Sequence, residues 1–286
     1  MIAITGANGQ LGTLVIDGLL EKVPASQIVA IVRNRESANA LQQLGVQVRE
    51  ADYDQPESLE AAFRGIDKLL LISAVVPGQR LRQHKSVIDA AKKSGVSFVA
   101  YTSMLKADTS NHVLAAEHLA TEKYLAESGI NFALLRNAWY LENHMGMIEP
   151  ALQHDALVGS AKEGRFASAS RADYAGAAVA VLTQAGAPNR TYELAGDTSF
   201  SMSEFASELS EQAGKQITYN DIDPDAYRSL LSGLGLPPMI VEVVVDADLK
   251  AQQGAFESSS SDLSRLLGHP TTTLAQAIRA TVRSQQ

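Results

Sequence analysis

Short apolar runs alternating with helical patterns predict an α/β chain: a doubly wound parallel sheet with a smaller C-terminal α/β lobe. Three observations carry this expectation. Runs such as Leu69-Leu70-Leu71-Ile72 are apolar on both faces, as strands covered by helices above and below must be. Gly6, Gly9 and Gly12 stand where the first strand gives way to the first helix. The 286 residues suffice for one large α/β domain, or one such domain with an appendage.

Residues 1–5 read as the first strand, and 11–22 as a helix with apolar Leu11, Leu14, Val15, Leu19 and Leu20. Residues 28–32 are a second strand, 37–44 a helix and 46–50 a third strand. A helix opens near Pro56, where proline's missing N–H costs nothing in the first turn. Strand 68–73, helix 83–94, strand 98–102, helix 115–128 and strand 131–136 complete the series. Beyond 137 the rhythm loosens. A helix over 171–184 and a strand over 191–194 are expected, and Ser201-Met202-Ser203-Glu204 is a capping-box pattern opening a helix to 213. A short strand at 217–219, a helix from Asp223-Pro224, a Gly/Pro-rich turn at 233–238 and an exposed loop at 258–261 follow. The expected division is 1–140 for a nucleotide-binding domain and 141–286 for a lobe covering the substrate, with some segments, such as 165–196, returning to the core sheet.

A net charge of −8 argues against a nucleic-acid partner, because phosphate-backbone binding needs clustered Lys and Arg. One local basic pocket for a phosphorylated small ligand remains compatible with it. With no cysteine there are no disulfides, thiolate nucleophiles or zinc-thiolate sites. No basic and apolar leader precedes the strand at Ile2, and no run approaches the roughly 18 apolar residues of a membrane span. The cytoplasm is the expected compartment, with no membrane partner. Oligomeric state is not legible.

Thr5-Gly6-Ala7-Asn8-Gly9-Gln10-Leu11-Gly12 follows the first strand directly. Glycines there allow a tight turn, close approach of backbone to a pyrophosphate, and close helix–strand packing. The helix N-terminus adds free N–H groups and a positive dipole end. A turn that merely needs glycine is the alternative, and the strand–helix junction argues against it. The Gly-x-x-Gly-x-x-Gly spacing resembles the short-chain dehydrogenase/reductase superfamily, particularly its extended and atypical branches. Where NAD-preferring proteins carry an acid for the ribose 2′-hydroxyl, this chain has Arg33-Asn34-Arg35. A guanidinium binds a 2′-phosphate through charge-assisted hydrogen bonds, so NADPH is the expected cofactor and Arg33 its main phosphate ligand. Asp52-Tyr53 falls where related folds come near the adenine, and Ser73-Ala74-Val75 at a carboxyl edge of the sheet.

Typical members of the superfamily use a Tyr-x-x-x-Lys pair on the helix expected here at 115–128. Its lysine is Lys123, but four residues earlier stands Leu119, which has no proton to give. His118 points about 100° away on an ideal helix. Lys123 is left to bind the nicotinamide ribose, to act electrostatically, or to be a solvated helix lysine.

An intact glycine loop with a broken dyad resembles the NmrA-like group of atypical short-chain reductases, and within it the reductases of quinones and of triphenylmethane dyes. The resemblance rests on 4–12, 23–34, Ala51-Asp52-Tyr53, Ala100-Tyr101-Thr102-Ser103, Leu134-Leu135-Arg136-Asn137, Arg171-Ala172-Asp173-Tyr174, 192–197 and 268–274, and so covers essentially the whole chain. It implies a Rossmann-like fold. It implies NADPH contacts from Gly6, Ala7, Asn8, Gly9, Gln10, Leu11, Arg33, Ser73, Ala74 and Val75, from Asn137, Ala138, Trp139, Tyr140, Leu141 and Glu142, and from 169–175 around Arg171. The implied activity is hydride transfer to a small aromatic or quinone substrate. Such an acceptor tolerates loss of the tyrosine, because the cofactor carries the hard chemistry. Lys123, Tyr140 and Asn143 are the candidate catalytic groups, with His144 a weaker one. A dye reductase, a non-catalytic NADP(H) sensor, and a reductase of plant-type aromatics with Lys123 as general acid are the alternatives.

Overall fold

The computed structural model describes residues 1–76, 78–184 and 189–284. In chain order the first elements are β1 (Ile2–Ile4), α1 (Gln10–Leu20), β2 (Ile28–Val32), α2 (Asn39–Gln43), β3 (Gln47–Glu50), α3 (Pro56–Ala62) and β4 (Lys68–Leu71). Then come α4 (Arg80–Lys93), β5 (Phe98–Met104), α5 (Ala115–Glu127), β6 (Asn131–Asn137), α6 (Leu141–Met145), α7 (Ile148–His154), β7 (Ala156–Gly159) and β8 (Arg165–Phe166). The chain closes with α8 (Arg171–Thr183), β9 (Arg190–Leu194), β10 (Phe200–Ser201), α9 (Met202–Ala213), β11 (Thr218–Asp221), α10 (Pro224–Gly233), α11 (Pro238–Ala251), α12 (Asp262–Leu267) and α13 (Leu274–Ser284).

One compact unit comprises 1–107, 117–136 and 171–192. The main sheet has the order β3-β2-β1-β4-β5-β6-β9. β1 pairs in parallel with β2 and β4, as do β2 with β3 and β4 with β5. Strand order reverses between β1 and β4, and in open sheets of this kind ligands sit at the carboxyl ends of the strands flanking that reversal. Ala3, Val29, Ile31, Leu69, Leu71, Val99 and Tyr101 bury one face against Leu59 and Phe63 of the α3 region and Val87 and Ile88 of α4. On α1, Gly18 lets α8 approach closely: a methyl group there would lie 3.0 Å from Val179 Cγ2.

The second unit comprises 108–116, 137–170 and 193–286. It holds two small sheets, parallel β7–β11 and antiparallel β8–β10. Its core gathers Leu141, Ile148, Phe166, Phe200, Phe205, Leu209 and Ile278. The capping box is present: Ser201 Oγ accepts the Glu204 N–H and Glu204 Oε2 accepts the Ser201 N–H.

The division into 1–140 and 141–286 is therefore corrected. Residues 108–116 and 137–140 fall in the second unit, while α8, within the segment 165–196 expected to return to the core, packs on α1 in the first. The helix expected over 37–44 is a 3-10 turn at Arg35–Ala38 followed by the short α2, and α4 begins three residues before the expected 83. The expectations left out α6, α7, β7, β8, β10, α11, α12 and α13. Among the described residues no helix is long and apolar enough to cross a membrane, and no three acidic or His side chains cluster to hold a metal.

Candidate functional site

The glycine loop is set by three positions of different character. Gly6 has φ +59°, a left-handed conformation that disfavours any side chain. A Cβ at Gly12 would lie 2.3 Å from Gly6 O and 2.8 Å from Ala7 Cα, so only glycine lets α1 pack on the loop. Gly9 needs neither excuse: its φ is −80°, and a Cβ would meet only Gly6 O, at 3.1 Å. It is exposed, as are Asn8 and Gln10, while Ala7 and Leu11 bury their side chains and offer only backbone. Gly9 is also the N-cap of α1 and supplies no capping side chain. The first-turn N–H groups of this 11-residue helix thus receive no cap, a ready anion site.

Next to it, Arg33, Asn34, Arg35, Glu36, Asn39, Gln42 and Glu50 line an open depression of about 700 Å³. Asn8 Nδ2 donates to Ser37 Oγ at 2.9 Å, and Ser37 Oγ donates to Asn34 O at 2.7 Å, tying the arginine loop to the glycine loop. Glu50 Oε2 accepts the Arg35 N–H at 3.2 Å, so a carboxylate shares the depression with the two guanidinium groups. Burial pushes the Tyr53 phenol up to about 12, which keeps its proton on; its hydroxyl lies 3.4 Å from Ile72 O.

Beyond β4 the backbone is received by side chains instead of a neighbouring strand. The N–H groups of Ile72, Ser73 and Ala74 donate to Thr5 Oγ1 (3.0 Å), Thr102 Oγ1 (2.9 Å) and His84 Nε2 (2.9 Å). Arg80 Nε donates to Ala74 O at 3.0 Å, and Arg80 pairs with Glu117 at 3.1 Å. Val75, just past this segment, is 85% exposed, an apolar side chain left in the open at the edge where ligands bind.

α5 turns His118, Thr121, Glu122 and Leu125 inward. Tyr101, kept protonated by burial, shares a hydrogen bond of 2.7 Å between its hydroxyl and His118 Nδ1. Glu122 forms a buried bidentate pair with Arg136 (2.9 and 2.7 Å) and accepts Ser103 Oγ at 2.6 Å. Lys123 is on the other side of the helix and exposed. It lies one residue, about 100°, from buried Glu122. Position 119 is Leu, half-buried, as the sequence states.

In the second unit, Asn137 ends β6 and donates through Nδ2 to the Tyr140 hydroxyl at 3.0 Å. Its Oδ1 is buried with no hydrogen-bond partner among the described residues. An orphaned buried acceptor costs roughly 1–3 kcal/mol unless a bound group supplies a donor. Segment 138–141 is pinned by Ala138 N–H to Leu194 O (2.8 Å) and Leu141 N–H to Ala169 O (3.0 Å). Trp139 packs edge-on with His112 and Phe256, Tyr140 and Glu142 are half-buried, and Asn143 is exposed. His144 is not available to a substrate. It is buried among Phe166, Phe200 and Phe205, bonded to Ser168 Oγ at 3.1 Å, and burial pushes its pKa down to about 3. Arg171, half-buried, opens α8 in the first unit. The expectations drawn from sequence gave no role to Thr5, Arg80, His84, Thr102 and Glu122; the one signal, for Arg80, His84 and Glu122, was a polar residue at an inward helical position.

A parallel sheet, an uncapped glycine-loop helix at the strand-order reversal and an arginine loop after the neighbouring β2 define a dinucleotide-binding α/β protein. Residues 1–275 match the NmrA-like family, and the chain belongs to that family. It is 50% identical over 278 residues, 97% of both chains, to quinone oxidoreductase 2 of Escherichia coli (strain K12). The solved structure of the NADPH-dependent quinone oxidoreductase from Escherichia coli complexed with NADPH superposes with a TM-score of 0.96, covering 99% of this chain and 100% of that one. Citrobacter sp. triphenylmethane reductase complexed with NADP(H) is 38% identical with a TM-score of 0.95, covering 98% of this chain and 100% of that one.

Proposed function

We propose that this chain is an NADPH-dependent reductase that delivers hydride to quinones without a tyrosine–lysine dyad. The observation that carries it is the uncapped glycine-loop helix beside Arg33, together with an α5 whose position 119 is Leu and whose Lys123 faces solvent. The residues present fit NADPH. The backbone of Gly6, Ala7, Asn8, Gly9, Gln10 and Leu11 holds the pyrophosphate, and Arg33 the 2′-phosphate. Ser73, Ala74 and Val75, Asn137 to Glu142 and Arg171 complete its contacts, and the orphaned Asn137 Oδ1 is the acceptor a bound amide or hydroxyl would satisfy.

Bound NADPH supplies hydride, and a quinone that takes it is left with a phenolate oxygen that one solvent proton converts to the hydroquinone. The protein's work is then placement and exclusion of competing reactions. Tyr140 and Asn143 are the side chains we assign to the flat substrate: Asn137 fixes the Tyr140 oxygen, and exposed Asn143 offers an amide. The cytoplasm is the compartment that supplies this cofactor.

Steady-state NADPH oxidation with a benzoquinone, a naphthoquinone and a triphenylmethane dye tests the reading. Turnover with quinones exceeding that with the dye is expected. The dye arm is included because of the likeness to the Citrobacter enzyme. Tight NADPH binding with no oxidation by any acceptor would replace the enzyme by a sensor.

A further inference from the structure

We propose that His84 is a positioning residue for NADPH binding: it holds the Ser73–Val75 segment in its ligand-ready shape by receiving the Ala74 N–H. This rests on the reading that the segment contacts the cofactor.

Three successive amides after β4, those of Ile72, Ser73 and Ala74, each end on a buried side chain from a different element. Two of the acceptors come from the neighbouring strands: Thr5 directly follows β1 and Thr102 lies on β5. The third, His84, comes from α4 and is fully buried. Without such acceptors these N–H groups would continue a strand or turn to water, and the chain would leave the sheet along another path.

The His84 tautomer follows from its partners. Nε2 faces an N–H and must accept, so the ring proton sits on Nδ1, which lies 3.0 Å from Thr121 Oγ1. Thr121 in turn donates to the Glu117 carbonyl at 2.9 Å, and every donor in the chain meets an acceptor. Burial, reinforced by the Arg80 charge, pushes the imidazole pKa down to about 3 and keeps it neutral. Arg80 grips the next peptide group, through the carbonyl of the same residue, Ala74. Both polar groups of Ala74 are thus held by α4, while Val75 next door is left in the open.

The test is NADPH affinity with KM and kcat for a quinone in three variants. His84→Leu keeps volume and loses both bonds. His84→Gln places an acceptor near the Nε2 position, and His84→Asn places its polar end near Nδ1 instead. For Leu and Asn, Kd and KM for NADPH rise about tenfold, the effect of one misplaced hydrogen-bonded segment, with kcat within a few-fold. Gln stays within about threefold of wild type. If Leu does not fold, the Asn–Gln contrast decides alone. Equal affinity of Asn and Gln, or a lowered melting temperature with unchanged KM in Leu, would overturn the proposal. Wild-type protein that fails to bind NADPH would instead overturn the cofactor reading on which it rests.

Discussion

Gly9 and Gly12 occupy one loop, and the structure separates what each does. At Gly12 a methyl group would sit 2.3 Å from Gly6 O and 2.9 Å from Ala7 O, both backbone atoms that cannot swing away. Gly12→Ala therefore forces α1 outward, an overpacking strain of about 1–3 kcal/mol. At roughly 2 °C per kcal/mol for a chain of this size, the apoprotein should melt about 2–6 °C lower. At Gly9 the backbone already lies in a region open to any residue, and the nearest atom to a Cβ is 3.1 Å away. Gly9→Val loses a favourable N-cap, about 1 kcal/mol, so its apoprotein should melt within about 2 °C of wild type. Its two methyl groups stand in front of the uncapped N–H groups of α1, however. Losing two charge-assisted bonds to phosphate, at about 1.5–3 kcal/mol each, weakens NADPH more than a hundredfold. Calorimetric titration and a thermal melt on each variant read the two quantities separately. A Gly9→Val protein that binds NADPH like wild type would place the phosphate elsewhere and refute the reasoning.

Arg33→Asp should lower NADPH affinity about ten- to a hundredfold and shrink or reverse the preference over NADH; equal wild-type affinities for the two nucleotides would contradict the role given to Arg33. Because Lys123 is exposed on α5, Lys123→Ala should change single-turnover NADPH oxidation only modestly, and a loss of several orders of magnitude with binding intact would make it the acid after all. Burial raises the Asp248 carboxyl to about 6, above its unfolded value near 4, so folding retains its proton and the wild type loses stability as pH rises from 4 to 6. Asp248→Asn should escape that loss and gain on the wild type by roughly 3 kcal/mol between pH 4 and 7, and parallel pH–stability curves for the two proteins would show the carboxyl is not buried as described.

The nucleotide half of the fold was legible because its signals are local. Strand, glycine loop and helix follow one another within 20 residues, and the β2 end carries Arg33 at the expected distance. The second unit was harder to read because its segments are discontinuous, and α11 shows the cost. Ile240, Val241, Val243, Val244 and Val245 have strand propensity, yet the segment is helical, with Pro238 at its first position and Val241, Val245 and Ala247 buried. Tertiary burial at helical spacing overrode the β-branched preference there.

The positioning side chains were hidden for a different reason. His118, Thr121, Glu122 and Leu125 have the spacing of a buried helical face, but a search for apolar periodicity passes over three polar residues. Those residues are inside because each finds a partner far away in sequence: Tyr101 for His118, His84 for Thr121, Arg136 and Ser103 for Glu122. A chain that gives up the dyad tyrosine still keeps this helix polar on its inner face. The cause is the strand ends it supports: hydroxyls, an imidazole and a bidentate ion pair hold backbone and strand termini in fixed positions, which is the contribution a protein makes when its cofactor supplies the chemistry.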